Sequence, residues 1–351
     1  MMMKKYTLRI LVAFVMTSWG LSVKGQVTTA QQEIQDSTLN VIVYFCKNDT
    51  LGYHYEDYKA KIYGNDTIIE HYHQNDFLLT VRDSTSEGYE IECIPQEALF
   101  DFGKDTLMTN LMQSLYDRMG DMHVIFTIDE YGSLKHIKNW LEIKKFVRQV
   151  AKNYCDTLYS RRPEINDVLP RVRLETRVNL LFDNEKDYMA NDDEMQLLFG
   201  CFGKSLKLGK SEMDDRSDQG FPEHIEAVAG YGKSSEEQGF DDDYFIRVMT
   251  TTNIPKEEVR AYVSNYVGMY MSDKVADKVH QKLEEQDYTD ALVTVGETYD
   301  FFYNGWPADV EYVKSTEVNG VKDVEIKTVS WTKRTWGVFG GSSDSVSSTD
   351  L

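Results

Sequence analysis

Apolar residues in this chain repeat every second position near both ends and every third or fourth position in the middle, and this segregation constrains the fold more than any other feature. An α/β fold would interleave the two periods, because each parallel strand needs a crossover helix. A chain with strands in runs and helices in a block points instead to α+β. The expected architecture is a curved antiparallel sheet, half-barrel-like, covered on one side by helices.

Within residues 40–95, β-branched and aromatic stretches are broken by turn-forming residues at 48–52, 64–66 and 84–88. Four strands in an antiparallel meander are predicted there. Asp105 and Thr106 then cap an amphipathic helix carrying Leu107, Leu111, Leu115 and Met119, and strands follow at 122–128 and 134–137. The helical middle spans about 139–201, with Trp140, Ile143, Phe146, Val147, Val150 and Tyr154 on one face. Residues 203–239 are rich in Gly, Ser and acids, with one strand expected near 225–229 and another at 244–251. Pro255, Glu257 and Glu258 open a long helix to about 286, with a break expected near Gly268 or Ser272. Asn319-Gly320 between Val318 and Val321 is the sharpest hairpin signal, since a type I′ turn needs positive φ at both central residues. That register sets Glu317 against Lys322 and Lys314 against Glu325.

Residues 1–25 read as a secretory signal peptide. Lys4, Lys5 and Arg9 form a basic start, residues 10–23 are largely apolar, and Val23-Lys24-Gly25 offers a cleavage site. The apolar run is too short for a transmembrane helix and no later segment replaces it. The expectation is export through the Sec pathway to the periplasm or the extracellular space, leaving a single domain at 26–339 and a flexible tail at 340–351. The full chain carries a net charge of -20, and loss of the four basic leader residues makes the mature form -24. Such acidity excludes a nucleic-acid binder and favours a soluble monomer. Cys46 and Cys93 fall on predicted strands, and Cys155 and Cys201 in the helical middle. Pairing within each group and four free thiols both fit.

Several motifs invite a chemical reading. Residues 227–234, AVAGYGKS, resemble a phosphate loop, yet no apolar helix face follows, so an ordinary turn is expected. Asp183, Glu185, Asp187, Asn191 and Glu194 have the spacing of a calcium loop, but Tyr188 stands where the sharp turn needs glycine. Calcium is the one cofactor the spacing suggests. His71 and His73 share a strand face, and across the turn Asp57 should oppose His73, a set that metals use. A flat hairpin is a poor cage, so exposed polar residues are expected. No GxSxG motif or Ser, His, Asp constellation is present, and no catalytic residue is assigned. Asp followed by Ser or Thr and then an apolar residue or Thr occurs seven times, where composition predicts about one to two. These tripeptides suit turns and helix caps, and they are similar to an O-glycan acceptor of some Gram-negative bacteria, with Thr50, Thr67 and Ser345 the accessible candidates.

The opening ND-T-L at 48–51, IDEYGSLKHIKNWLEIKK at 128–145 and NGWPADVEYVKS at 304–315 resemble uncharacterised exported proteins of Gram-negative bacteria, strand-rich domains of unknown function. The resemblance implies an envelope location and no catalytic residue. The leading functional expectation is a non-enzymatic envelope protein that binds an apolar molecule or glycan in a cleft between sheet and helices. Its basis is the run of Tyr53, Tyr55, Tyr58, Tyr63 and Tyr72, with Met- and Tyr-rich helices as a second wall. The alternatives are a hydrolase with paired carboxylates and a surface scaffold acting through protein contacts.

Overall fold

A computed structural model describes residues 38–103, 106–119, 122–167, 170–181, 183–190, 192–217, 220–232, 244–261, 264, 272–285, 289–337 and 345–347. The proposed leader, Lys233 and Ser234 of the phosphate-loop-like segment, and tail positions 340–344 and 348–351 lie outside the described residues.

Among the described residues, strand β1 (Thr38–Asn40) pairs with β7 (Ser205–Lys207) in a separate two-stranded sheet. The remaining strands form one antiparallel sheet made of two meanders. The first contains β2 (Thr50–Tyr63), β3 (Asp66–Thr85), β4 (Gly88–Asp101), β5 (Val124–Ile128) and β6 (Leu134–Ile137). The second contains β8 (Gly209–Arg216), β9 (Pro222–Tyr231), β10 (Tyr244–Ile254), β11 (Ala291–Phe301), β12 (Pro307–Val318) and β13 (Val321–Thr335). Their order is β6-β5-β4-β3-β2-β13-β12-β11-β10-β9-β8, and β14 (Ser345–Ser347) adds to the end of β13. The first and last long strands therefore meet at the centre. β2 and β13 pair from Tyr63 opposite Val321 to Thr50 opposite Thr335, which welds the two meanders into one surface.

Local chemistry sets the registers. Asn319 and Gly320 hold φ of 53° and 72°, as a type I′ turn demands, and Glu317 faces Lys322 while Lys314 faces Glu325. Asp57 faces His73 across the first hairpin, as expected. Both open edges are protected. Strand β6 is short, and its Ile137 amide donates to the Glu185 carboxylate; β8 carries Lys210, Glu212, Asp214, Asp215 and Arg216.

The α+β expectation is corrected by this arrangement. Strand makes up about half of the described residues and helix about a quarter, and eleven strands run side by side in one large antiparallel sheet that is not closed. Two features hid this from the sequence. Strand β8 is so charged that it reads as a loop, and β3 runs for 20 residues, far beyond an ordinary strand. The helices are α1 (Thr106–Met119), α2 (Trp140–Arg161), α3 (Arg171–Leu181), α4 (Glu185–Ala190), α5 (Asp193–Phe199) and α6 (Asp273–Glu285). A further helical turn at 256–261 follows Pro255.

The first meander also has one strand fewer than expected. Residues 41–45 alternate like a strand, with Val41, Val43 and Phe45 buried, yet their backbone bonds go to loops: Val41 N to Lys204 O at 2.9 Å and Tyr44 N to Asn304 O at 3.0 Å. Alternation records which side faces apolar surroundings and is silent about the pairing partner. This segment threads into the core, where Phe45 stacks on Trp306 with ring centroids 3.8 Å apart. Leu198 and Phe199 of α5, Phe126 of β5, and Phe301 and Phe302 at the end of β11 pack around them.

The turn at 46–49 is pinned by a buried carboxylate. Asp49 is 1% exposed and accepts from Cys46 N at 2.8 Å, Trp306 Nε1 at 3.1 Å and Gly337 N at 2.7 Å. Burial pushes its carboxyl up and the three donors offset part of that rise. Gly337 is required here, because a Cβ would sit 2.0 Å from the Lys47 carbonyl oxygen. All four cysteines are free thiols.

Candidate functional site

Two features stand out as candidates: a network of ionisable groups on one face of β2, β3 and β13, and a groove along α2 and α3. The expected location, the space between sheet and helices, is packed with side chains around Phe45, Phe199 and Trp306. The tyrosines do not converge on a pocket either. Tyr53 and Tyr55 are core residues at 1% exposure, whereas Tyr58 and Tyr72 form a ring pair 4.7 Å apart whose hydroxyls both donate to Glu56.

Strand alternation places Tyr55 and Asp57 of β2, His73 and Asn75 of β3, and Lys327 of β13 on the face that receives α5. Asn75 is the joint of this network. Its Nδ2 donates to Glu194 Oε1 of α5 at 3.1 Å, and its Oδ1 accepts from the Tyr116 hydroxyl of α1. Asp192 caps α5 by accepting from Met195 N at 3.1 Å, and it is also hydrogen-bonded to Glu194. Desolvation and the neighbouring Glu194 charge push Asp192 up to about 8, and Glu194 also rises through burial, so this pair holds a proton at neutral pH. Beside them Lys327 bridges Asp193 at 2.8 Å and Glu325 at 2.9 Å. Burial pulls the Lys327 ammonium down, but its two carboxylate hydrogen bonds outweigh that and its pKa is raised.

Of the histidine cluster of the sequence analysis, Asp57 is buried and His71 and His73 are half-buried on one sheet face. Asp57 is 5% exposed; its Oδ2 lies 3.3 Å from His71 Nε2, and its Oδ1 has no partner. His73 stacks on Phe100 at 4.3 Å, and burial pushes it down to about 4, so the ring is neutral. Exposed polar residues were expected at these positions, and the rings that cover them are Phe102 on His71 and Phe100 on His73, with Tyr116 of α1 packed against Phe100.

The calcium-like residues are separated into other roles. Asp183 pairs with Lys144 and Arg148, both at 3.0 Å; Glu185 opens α4 and caps the β6 edge; Asp187 lies within α4; Glu194 belongs to the Asn75 network. Asn191 lies outside the described residues. Helix α4 occupies the middle of the predicted loop, and among the described residues no group of three or more His, Cys, Asp or Glu side chains is placed to hold a metal ion. Of the modification candidates, Thr67 is exposed beside the β2–β3 turn, Thr50 is half-buried with its Oγ1 3.3 Å from that of Thr80, and Ser345 sits opposite Thr335 in β14.

The groove lies on the helices. It measures about 680 Å³ and is lined by one stripe of α2 together with Arg171 and Glu175 of α3. Five of its side chains are basic and one is acidic, on a chain whose net charge is -20. Leu141 and Ala151 supply apolar surface between the charges, while Cys155, also in the lining, is buried at 1% exposure. Acids behind the rim hold most of the bases. Besides Asp183, Asp156 takes Lys152 at 2.9 Å and Arg171 at 2.6 Å, and Glu175 takes Arg171 at 2.7 Å. These hydrogen bonds keep Asp156 and Asp183 below the usual carboxylate range. Sequence reasoning followed the apolar face of α2 and passed over this one. The signal was present: Lys144, Lys145, Arg148 and Lys152 recur at helical spacing in an otherwise acidic chain. The Asn75 network had no such signal, because its members come from five distant segments.

No protein-family model and no curated protein matches the chain. Among solved structures, it is similar to one described as lipid–protein interactions in lipovitellin, with 7% identity and a TM-score of 0.36. That match covers 86% of this chain and 27% of the lipovitellin chain, so the chain spans about a quarter of that protein's length. It is also similar to an outer membrane channel from Pseudomonas putida F1, with 6% identity, a TM-score of 0.14, and 83% and 97% of the two chains covered. At those scores neither likeness bears on function. Among the described residues no helix is long and apolar enough to cross a membrane.

Proposed function

We propose that this protein is an exported, non-enzymatic binding protein of the bacterial envelope, and that its ligand occupies the groove between α2 and α3. The observation that carries this reading is the groove itself: a half-open hollow of about 680 Å³, within the range of small-molecule sites, with apolar surface set among a few convergent charges. The rest of the molecule works as its support. The half of α2 that begins at Trp140 and Ile143 is rooted in the core of the large sheet, while its outer face is left to the groove. The hydrolase alternative gains little from the Asp192–Glu194 pair. Those carboxyls hydrogen-bond to each other, whereas two acids flanking a scissile bond must stand about 5–10 Å apart.

Two measurements test the proposal. The protein recovered from outside the cytoplasm should begin at Gln26; an intact leader on that form would contradict export by cleavage. Ala151→Trp fills the groove from a half-buried position on α2. It should abolish calorimetric binding of any ligand recovered with the folded protein, and undiminished binding by this variant would place the site elsewhere.

A further inference from the structure

The groove is a better match to one ligand class than to the others. Resting on the reading above, we infer that it takes a single-chain acidic amphiphile, with the acid head at Lys145 and the chain running along α2 towards Cys155.

Lys144 and Arg148 are engaged by Asp183, and Lys152 and Arg171 by Asp156. Lys145 is exposed, lines the same hollow, and has no acidic partner among the described residues. An incoming carboxylate or phosphate would therefore complete an ion pair there without displacing an internal acid. Its neighbours Lys144 and Arg148 add positive potential on the same rim. A cation would meet a net positive surface, five bases against Glu175 on the rim and Asp156 and Asp183 behind it, and a neutral sugar would find no aromatic ring among the lining side chains on which to stack.

The shape of the groove selects independently of its charge. From Lys145 the stripe continues through Ala151 to Cys155, a run of about 15 Å at 1.5 Å per residue. Ala151 is half-buried and its side chain is short, so it leaves the length of the groove open while presenting apolar surface to an alkyl tail, and Cys155, buried at 1% exposure, marks the closed end. Branched or multi-chain lipids would outgrow a channel one helix face wide.

Isothermal titration below the micellar range, with dodecanoate, dodecyltrimethylammonium and dodecyl maltoside, separates the possibilities. Dodecanoate should bind and the other two should not, and its affinity should fall as salt screens the exposed head contact. Lys145→Glu should weaken dodecanoate at least tenfold with unchanged circular dichroism and melting temperature, the residue being exposed. Asp183→Asn frees Lys144 and Arg148 and should tighten it. Equal binding of all three amphiphiles, unaffected by Lys145→Glu but lost in Ala151→Trp, would overturn the acidic-head inference and leave the groove as the site. Dodecanoate binding that survives Ala151→Trp would overturn the groove itself, and absence of binding by all three would overturn the amphiphile.

Discussion

Replacing Asp49 with Asn isolates what the buried carboxylate does for the junction between the two meanders. The change keeps shape and volume. Of the three donors aimed at Asp49, Cys46 N and Trp306 Nε1 reach Oδ2 while Gly337 N reaches Oδ1 at 2.7 Å. An asparagine can turn its carbonyl oxygen towards the pair, but its NH2 group then faces the Gly337 amide, donor against donor. With the site 1% exposed, water cannot relieve the clash. One charge-assisted bond is lost, one buried N–H is orphaned, and two remaining bonds lose their charge, which together cost about 2–4 kcal/mol. Trp306→Phe is the companion variant. It keeps a ring for the stack on Phe45 and removes one donor, so it should cost about 1–2 kcal/mol, including the lost indole volume. Urea unfolding followed by tryptophan fluorescence for Asp49→Asn and by circular dichroism for both would show midpoint shifts with unchanged slope. A loss below about 0.5 kcal/mol in Asp49→Asn would refute the view that this carboxylate organises the turn.

The Asp192–Glu194 pair binds its proton more tightly in the folded state than in the unfolded chain, where such groups titrate near 4. Stability from this pair is therefore complete below pH 4 and is lost as pH rises towards the folded value of about 8, with a slope of up to about 1.4 kcal/mol per pH unit for one proton. Unfolding measured from pH 5 to 9 should show that slope in the wild type and flatten in Glu194→Gln; identical slopes would contradict a shared proton. His73 acts in the opposite sense, since its folded pKa is depressed to about 4: its contribution is present above about 6.5 and fades as pH falls towards 4. His73→Phe keeps the stack on Phe100 and removes a buried nitrogen that has no hydrogen-bond partner, so at pH 5 it should be as stable as wild type or about 1 kcal/mol more so. Marked destabilisation at pH 5 would point to a hydrogen bond on that nitrogen. Lys327→Met leaves Asp193 and Glu325 without their shared cation and should cost about 1–3 kcal/mol at pH 7, less at pH 4; a pH-independent loss would mean that packing matters more than charge.

How much of this was legible in the sequence depends on the range over which each feature is decided. The Asn319-Gly320 turn, the charge pairs across it and the opposition of Asp57 to His73 follow from local turn geometry and the two-residue period, and they are found as expected. The pairing of β2 with β13 joins residues more than 250 positions apart, and no local pattern encodes it. The same holds for Asp49, which looked like one of seven turn-forming Asp-Ser/Thr pairs but reaches Trp306 and Gly337 through the core. Burial of His73 was missed for a related reason. Its strand neighbours are polar, and only the arrival of α1 with Tyr116 and the ring of Phe100 turns that face into an interior. The groove is the intermediate case: its basic stripe was written along α2, whereas the wall supplied by Arg171 and Glu175 needed the turn at Pro163–Asp167 to fold α3 back.

Hydrogen–deuterium exchange of the whole protein with and without dodecanoate shows whether the groove between α2 and α3 is the binding site. Binding in the groove should slow exchange across α2 at 141–155 and at the start of α3, and leave β2, β3 and the β13 junction unchanged. Protection confined to the sheet, with α2 unaffected in the presence of saturating dodecanoate, would contradict it.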